Sequence, residues 1–298
     1  MNLSNTKHFL RNLPIIRQFL HQQIKLDQVQ EDLAVLRSLL TQDIQERRKT
    51  NASKGNPHSL HPFEQSVYSQ NGEDGVIQEI FRRIGAPAKT FVELGVGDGW
   101  ENNTLFLHTQ GWQGWWIDAD PAFVSELVNE LPPDSQRALR HEVAEVTAEN
   151  VVPLLTGLGA PHEPDLLSLD LDQNTYYIWQ ALEAYRARLI VVEYNSAVPA
   201  SVDWKVHYDA GKPWDGSLNV GASLKALEKL GKELDYRLVH CEAAGANAFF
   251  VRNDLVAEHF KEPATAEYHY EPFRFLLPRD CHPSNRRILL DRNTQTES

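Results

Sequence analysis

The chain has 298 residues, of which 42% are hydrophobic and 23% are charged, as is usual for a globular protein with a sizeable core. Its formal net charge of −12 disfavours nonspecific binding to nucleic acid and to an anionic membrane surface. The sequence shows neither a membrane-spanning stretch nor a secretory signal. With only two cysteines, Cys241 and Cys281, the pattern predicts a cytoplasmic protein without a disulfide framework.

Residues 1–50 differ from the rest of the chain, because they contain no glycine and are rich in Gln and Leu. We predict a helix here, with a short coiled-coil seam that forms a homo-oligomer. Residues 51–62 contain turn-forming residues and indicate a linker, which leaves 63–298 as the main domain. The seam consists of apolar residues at steps of three and four: Leu26, Val29, Leu33, Leu36 and Leu40.

From Phe63 onward, apolar runs alternate with amphipathic stretches, which is typical of a parallel sheet covered by helices on both faces. We predict a doubly wound, mostly parallel α/β sheet of the Rossmann-like type, with one antiparallel strand near its end. The predicted strands are Thr90–Leu94, Gly114–Ile117, His141–Ala144, Leu166–Leu169, Leu189–Val192, Arg237–Cys241 and Ala248–Val251. The predicted helices are Glu73–Ile84, Asn102–Gln110, Pro121–Leu131, Ala148–Leu158, Thr175–Tyr185 and Ser217–Leu230.

A glycine-rich turn follows the first strand, with Gly95, Gly97 and Gly99 at alternate positions. Such a turn lets the backbone approach a ligand closely. A dinucleotide site has the spacing Gly-x-Gly-x-x-Gly, and Glu93 would repel a pyrophosphate. A carboxylate at this position instead suits the ammonium group of S-adenosylmethionine, so a dehydrogenase is disfavoured.

A second acid, Asp118, ends the next strand 19 residues after Gly99. In nucleotide-binding α/β folds, an acid at this place accepts hydrogen bonds from the two ribose hydroxyls. Together with the glycine turn, Asp118 predicts a site for an adenosine-containing cofactor. The alternative is a glycine turn with acids that only cap helices.

Glu93–Gly99 with Asp118 resembles motif I and the following acid of class I S-adenosylmethionine-dependent methyltransferases. Five further segments resemble the FkbM-like subgroup, which is associated with O-methylation of sugars and polysaccharides: 68–75, 111–118, 168–172, 191–195 and 214–224. The resemblance spans about residues 63–253. It implies a class I methyltransferase fold and S-adenosylmethionine as the cofactor.

The resemblance also implies that Ser69 and Gln70 fold over the amino-acid end of the cofactor. From the residues alone, the segment 68–75 can equally be the capped start of a helix. One departure from the FkbM-like pattern is Asp172-Gln173-Asn174, where the subgroup prefers a Glu-Gly pair.

Acids also follow the fourth and fifth predicted strands, at the edge of the sheet where chemistry takes place in such folds. Asp170, Glu193 and Asn195 offer three oxygen ligands, a set suited to Mg²⁺. We predict that Asp170 and Glu193 are catalytic, with Asp170 also close to the cofactor. The alternative is that Asp170 orients the cofactor or substrate by hydrogen bonds, without a metal.

The loop between Asn195 and Ser217 is long, and it carries aromatic residues beside acids. Long loops at this edge usually serve binding or catalysis, and aromatic rings beside acids suit a sugar. His207 is the predicted general base, because histidine titrates near neutrality. The alternative is a surface histidine.

The leading prediction is O-methylation of a sugar hydroxyl on a glycan, glycolipid or glycosylated metabolite, with no nucleic acid partner. N-methylation of a small molecule is the alternative among enzymes. Outside enzymes, the alternative is a cofactor-binding scaffold whose oligomerising helix matters more than catalysis.

Overall fold

The computed structural model describes residues 58–121, 128–212 and 214–272, and ten separate positions between residues 22 and 46. Those ten positions are helical, and one of them, Val29, is 53% exposed. The other seam positions lie outside the described residues, so the coiled coil stays a prediction; they are Leu26, Leu33, Leu36 and Leu40. None of the helices in the described ranges has the length and apolar character that a bilayer crossing requires.

Seven strands form one sheet, in the order β3-β2-β1-β4-β5-β7-β6. The first five pair in parallel, whereas β7 runs antiparallel to both of its neighbours. The predicted mostly parallel sheet is therefore confirmed, and so is its antiparallel strand. The strands are β1 (Thr90–Leu94), β2 (Gln113–Asp118), β3 (Leu139–Val143), β4 (Leu166–Leu169), β5 (Leu189–Glu193), β6 (Tyr236–Cys241) and β7 (Asn247–Arg252).

Apart from the mostly exposed edge strand β3, the strands are buried on both faces, and their side chains point alternately to opposite sides. In β4, Leu167 and Leu169 join one hydrophobic core and Leu166 joins the other. The adjacent tryptophans of β2 divide in the same way, with Trp115 in the first core and Trp116 in the second. This division explains the continuous apolar runs in the sequence and fits a doubly wound arrangement.

Helices connect most of the strands, although several are short. They are α1 (Glu73–Ile84), α2 (Leu105–Thr109), α3 (Pro133–Ala138), α4 (Val151–Gly157), α5 (Thr175–Ala181), α6 (Leu224–Glu233), α7 (Asn253–Val256) and α8 (Ala266–His269). There are also two 3-10 turns, His61–Phe63 and Asp172–Asn174, and helical residues at 121 and 128–130.

Helices α2, α4 and α6 start later than predicted, and the difference is largest for α6. Helix α6 begins at Leu224 rather than Ser217, because the Ser223 hydroxyl accepts a hydrogen bond from the Ala226 amide at 3.2 Å and so caps the helix there. Gly221, with φ of +64°, turns the chain just before this cap. The residues before Gly221 are left outside the helix, where they line the cavity described below.

The order of the strands reverses beside β1, which lies between β2 and β4. In open α/β sheets, the connections on the two sides of such a point leave toward opposite faces and open a crevice at the carboxyl ends of the strands. The fold therefore places the ends of β1, β4 and β5 around one crevice.

Candidate active site

A cavity of about 730 Å³ occupies the crevice at the carboxyl ends of β1, β4 and β5. The glycine turn after β1 lies on one side, and the residues following β4 and β5 lie on another. The loop at 214–220 and the turn before β7 complete the wall. The cavity is of the size that holds a small-molecule cofactor together with part of a substrate.

The glycine turn packs tightly against the end of β4. Gly95 has φ of +79°, and a Cβ atom on it would lie only 1.6 Å from the main-chain oxygen of Asp170. Gly97 also has a positive φ, +60°, but a Cβ atom there would meet nothing within 4 Å. Gly95 is thus required for packing, whereas Gly97 faces open space at the cavity wall.

Glu93 is almost fully buried at the end of β1 and lines the cavity. Its carboxylate accepts hydrogen bonds from the Asn103 amide at 3.0 Å and from the Thr104 hydroxyl. Burial raises the pKa of Glu93 to about 8, with a smaller contribution from the negative charge of Asp170. A cation placed beside Glu93 would stabilise its ionised form.

Asp118 stabilises the glycine turn by accepting hydrogen bonds from its backbone amides. One of its oxygens accepts hydrogen bonds from the amides of Val96 at 2.8 Å and Gly97 at 2.9 Å. The other oxygen accepts from the Asp120 amide. Asp118 is not among the residues that line the cavity, so the structure gives it a role in shaping the turn. Its predicted contact with a ribose stays a prediction.

The segment at 68–75 is organised by Asp74, the second residue of α1. Its carboxylate accepts hydrogen bonds from three consecutive amides, of Val67, Tyr68 and Ser69. Ser69 is fully buried, and its hydroxyl accepts from the Asp74 amide, so Ser69 supports this turn and does not line the cavity. Gln70 does line the cavity, where it donates to Glu101 at 3.2 Å. Of the two predicted cofactor contacts in this segment, only Gln70 is placed to reach a ligand.

Three carboxylates meet at the ends of β4 and β5. The oxygens of Asp170, Asp172 and Glu193 lie within 4.8 Å of one another. Burial raises the pKa of Glu193 well above its ordinary value, and the charges of Asp170 and Asp172 raise it further. Asp172 has φ of +51°, a left-handed conformation that is uncommon outside glycine and is often found at functional sites.

Asn195 has a use besides the predicted one. Its amide nitrogen donates to the main-chain oxygens of Leu218 at 2.7 Å and Val220 at 2.9 Å, and its oxygen accepts from the Ala197 amide. Asn195 lines the cavity and fixes the loop at 214–220, and its role as a metal ligand stays a prediction. The structure adds Asp172 to the predicted acids Asp170 and Glu193. The alternation Asp170-Leu171-Asp172 in the sequence was the available signal for this third acid.

His207 does not reach the cavity. It is exposed and does not line the cavity, whereas the preceding residue, Val206, is buried. The next residue, Tyr208, packs on Tyr177 and hydrogen-bonds to Glu149. The position of His207 thus does not support its predicted role as general base. Trp214 is the aromatic residue of this loop that lines the cavity, with 50% of its surface exposed.

The wall of the cavity is strongly acidic. The described residues that line it include no lysine, arginine or histidine. Its acids are Glu73, Glu93, Asp98, Glu101, Asp170, Asp172 and Glu193. The wall therefore attracts cations, accepts hydroxyl groups as hydrogen-bond donors and repels anions.

The donor set of the acid cluster fits Mg²⁺. The three carboxylates are hard oxygen ligands, the kind that Mg²⁺ prefers. Burial is the main cause that raises the pKa of Glu193, and the charges of Asp170 and Asp172 add to it; a divalent cation would offset that repulsion. Asp170, Asp172 and Glu193 are thus the residues that could hold a metal here.

No protein-family model matches this chain, and no curated protein matches it at a significant level. Solved structures do resemble it in fold. The chain is similar to the magnesium protoporphyrin IX methyltransferase from Synechocystis PCC 6803 with bound S-adenosylhomocysteine. Identity is 12%, coverage is 71% of this chain and 94% of that one, and the TM-score is 0.41.

Two further structures resemble the chain at a similar level. One is the 1,6-didemethyltoxoflavin-N1-methyltransferase from Burkholderia thailandensis, with S-adenosylhomocysteine bound, at 13% identity, 74% and 88% coverage of the two chains, and a TM-score of 0.38. The other is the methyltransferase domain of a bacterial Hen1 protein, at 14% identity, 61% and 97% coverage, and a TM-score of 0.39.

Proposed function

We propose that this chain is an S-adenosylmethionine-dependent methyltransferase that methylates a hydroxyl group of a neutral, sugar-like substrate. One observation carries the proposal: a single cavity joins the glycine turn after β1 to the acid cluster at the ends of β4 and β5. A methyl donor bound at the turn would thus share the cavity with a substrate hydroxyl bound at the cluster.

The cofactor lies along the glycine turn in this proposal. Its ammonium group is attracted by the buried Glu93, and Gln70, which lies three residues before α1, covers the same end. Asp118 accepts a hydrogen bond from the ribose through Oδ1, the oxygen that also accepts from the Asp120 amide. A carboxylate oxygen can accept two hydrogen bonds. Gly97 leaves room for the backbone to contact the ligand.

Methyl transfer is an in-line displacement, in which the hydroxyl oxygen attacks the methyl carbon while the carbon–sulfur bond breaks. The sulfonium becomes a neutral thioether, and the hydroxyl proton must leave. The enzyme's part is to align the nucleophile and accept that proton. Asp170 is our choice for this role, because it lies at the junction of the glycine turn and the acid cluster.

We further propose that Asp170, Asp172 and Glu193 hold Mg²⁺. When bound, the metal would lower the pKa of a hydroxyl group that reaches it. The three carboxylates would then be fully ionised, because a nearby cation favours the charged form. Without a metal, burial and the charges of Asp170 and Asp172 hold the pKa of Glu193 well above its ordinary value, which favours its protonated form.

The acidic wall defines the substrate class. Hydroxyl groups can donate hydrogen bonds to carboxylates, whereas phosphate, sulfate and carboxylate groups would be repelled. Trp214 and Leu218, which are 50% and 60% exposed, offer apolar surface at the cavity for the carbon face of a sugar ring. We therefore favour a neutral glycan, glycolipid or glycosylated metabolite.

The same acidity supports a second candidate, N-methylation of a small amine. A protonated amine would be attracted by the cluster, but it must lose a proton before it can attack the methyl group. Asp170 would serve for this step too, so the two candidates differ in substrate and share the machinery.

Transfer of a labelled methyl group distinguishes these candidates. We expect label from S-adenosylmethionine to enter neutral saccharides, with carboxylated or sulfated analogues at least about tenfold poorer, the effect of a buried like charge. Label in an amino sugar that is lost on N-acetylation would favour the amine candidate. No transfer to any of these classes would contradict both.

We also propose that the N-terminal segment mediates self-association. Its apolar seam would otherwise face water, and exposed apolar patches of this kind usually mark an interface. Val29 is the seam residue within the described positions, and it is exposed on the single chain.

A further inference from the structure

A second cluster of ligand-type side chains lies outside the cavity. His61 opens the 3-10 turn His61–Phe63, Glu64 follows that turn, and His240 belongs to β6. His61 Nδ1 is 2.8 Å and His240 Nε2 is 3.2 Å from the same oxygen, Oε1 of Glu64. The two imidazole rings meet edge to face, with centroids 4.6 Å apart.

The cluster is closed off from solvent on most sides. The side chains of Glu64 and His240 are 3% and 1% exposed, and that of His61 is 28% exposed. Nε2 of His240 is buried, yet it makes no hydrogen bond of acceptable geometry in spite of its short distance to Glu64. Such an unsatisfied buried atom is costly unless the site has a further occupant.

The distances fit a small tetrahedral metal. Zinc binds nitrogen and oxygen ligands at about 2.0–2.2 Å, which places neighbouring ligand atoms roughly 3.4 Å apart. The contacts of Glu64 to the two imidazoles, at 2.8 and 3.2 Å, need little adjustment to reach this value. Two imidazoles and one carboxylate suit zinc, whereas the all-oxygen cluster at Asp170 suits magnesium.

Two further contacts surround the cluster. A ligating imidazole commonly hydrogen-bonds a carboxylate through its other nitrogen. Oε1 of Glu271 lies 4.0 Å from Nε2 of His61, an ion-pair distance that is too long for a hydrogen bond. The second oxygen of Glu64 accepts from the Ala243 amide at 3.2 Å, which fixes the carboxylate in place.

We propose that His61, Glu64 and His240 bind a zinc ion that fastens the beginning of the domain to the end of β6. The turn that follows β6 contains Ala243 and leads to Ala246 and Asn247, which line the cavity. Three protein ligands leave the fourth tetrahedral position to water. The role of the ion in this proposal is to hold one wall of the cavity in place, away from the substrate.

The test uses the full chain, stripped of metal and titrated with Zn²⁺ and with Co²⁺ as a spectroscopic probe. We expect about one tight zinc ion per chain, a visible Co²⁺ spectrum typical of tetrahedral coordination, and a higher Tm with zinc. His61→Ala should weaken zinc binding at least about tenfold and abolish the shift in Tm. His61 is the most exposed of the three ligands, so its replacement is the least damaging to folding.

Two controls separate this site from other binding. His141→Ala, an exposed histidine of β3, should bind zinc like the unaltered chain. Asp170→Asn should also retain zinc, because its carboxylate belongs to the other cluster. Absence of a stoichiometric zinc or cobalt complex would overturn the proposal. Equal zinc affinity of His61→Ala and the unaltered chain would overturn it too, and would identify the cluster as a hydrogen-bonded ion pair.

Discussion

Gly95 lies in direct contact with the main chain of Asp170, since a Cβ atom at position 95 would be 1.6 Å from the Asp170 carbonyl oxygen. The two backbones are also linked one residue earlier, where the Asp170 amide donates to the Leu94 oxygen at 2.9 Å. The turn proposed to hold the cofactor and the residue proposed to act on the substrate are therefore one packed unit. A shift of either would displace the other.

Alanine substitutions at three glycines should separate packing from backbone strain. Gly95→Ala should lower the free energy of unfolding by more than about 3 kcal/mol, because the new Cβ overlaps the Asp170 oxygen. Gly97→Ala should lower it by only about 1 kcal/mol, from the positive φ alone. Gly157→Ala, in α4 and in open space, should be neutral or slightly stabilising. Chemical denaturation measures all three, and equal losses at 95 and 97 would contradict the packing account.

The stability of the chain should depend on Glu93 through pH. Its pKa is about 8 in the folded chain against an ordinary value of 4.5, so the folded state holds a proton that the unfolded state releases. This contribution to stability is complete below about pH 4.5 and is lost as the pH rises toward about 8.

Glu93→Gln removes this titration. Between about pH 5 and 8, the free energy of unfolding of the variant should therefore fall less steeply with pH than that of the unaltered chain. Urea denaturation at several pH values, without cofactor, provides the measurement. Parallel curves for the two proteins would show that Glu93 titrates normally in the folded chain.

Activity should depend on Asp170 and hardly at all on His207. Asp170→Asn should lower kcat by at least about 100-fold, the scale for losing a proton-transfer or metal-binding group. His207→Ala should stay within about twofold of the unaltered enzyme, because the side chain lies at the surface. Steady-state kinetics with and without a chelator completes the test. A collapse in His207→Ala with full activity in chelator would reject the acid cluster in favour of a histidine base.

Removal of residues 1–55 should lower the oligomeric state and leave cofactor affinity nearly unchanged. The reason is that the predicted seam lies in this segment, whereas all residues of the cavity wall follow it in the chain. Light scattering gives the mass, and calorimetry gives the affinity. If the oligomer contains the same number of chains after the deletion, the seam does not form the interface and the proposal is wrong.

Most of the sheet could be predicted from the sequence because its inner strands are buried on both faces, unlike the edge strand β3. Runs such as Leu189–Val192 are apolar throughout, and the structure places them in the centre of the sheet. The limits of α6 could not be predicted as well, because Ser217 and Ser223 are both plausible caps. Only the tertiary contacts of Leu218 and Val220 with Asn195 decide between them.

The site was predictable in part, for a related reason. Glu93 is the penultimate residue of one predicted strand and Asp170 directly follows another, so the parallel topology predicts that they meet at one edge of the sheet. Ser69 and His207 lie in irregular segments, where no periodicity tells which side chains turn inward. The pairing of Glu64 with His240 joins residues far apart in sequence, and neither is part of a local motif.

The binding of S-adenosylmethionine to the purified chain tests the central claim most directly. Calorimetry should show one site per chain with micromolar affinity for S-adenosylmethionine or S-adenosylhomocysteine, and no binding of NAD. Asp118→Ala should weaken that binding by about 1.5–3 kcal/mol, the scale for hydrogen bonds to a charged group. The exposed Asp134→Ala should leave it unchanged. Binding of NAD without binding of either methionine compound would contradict the account.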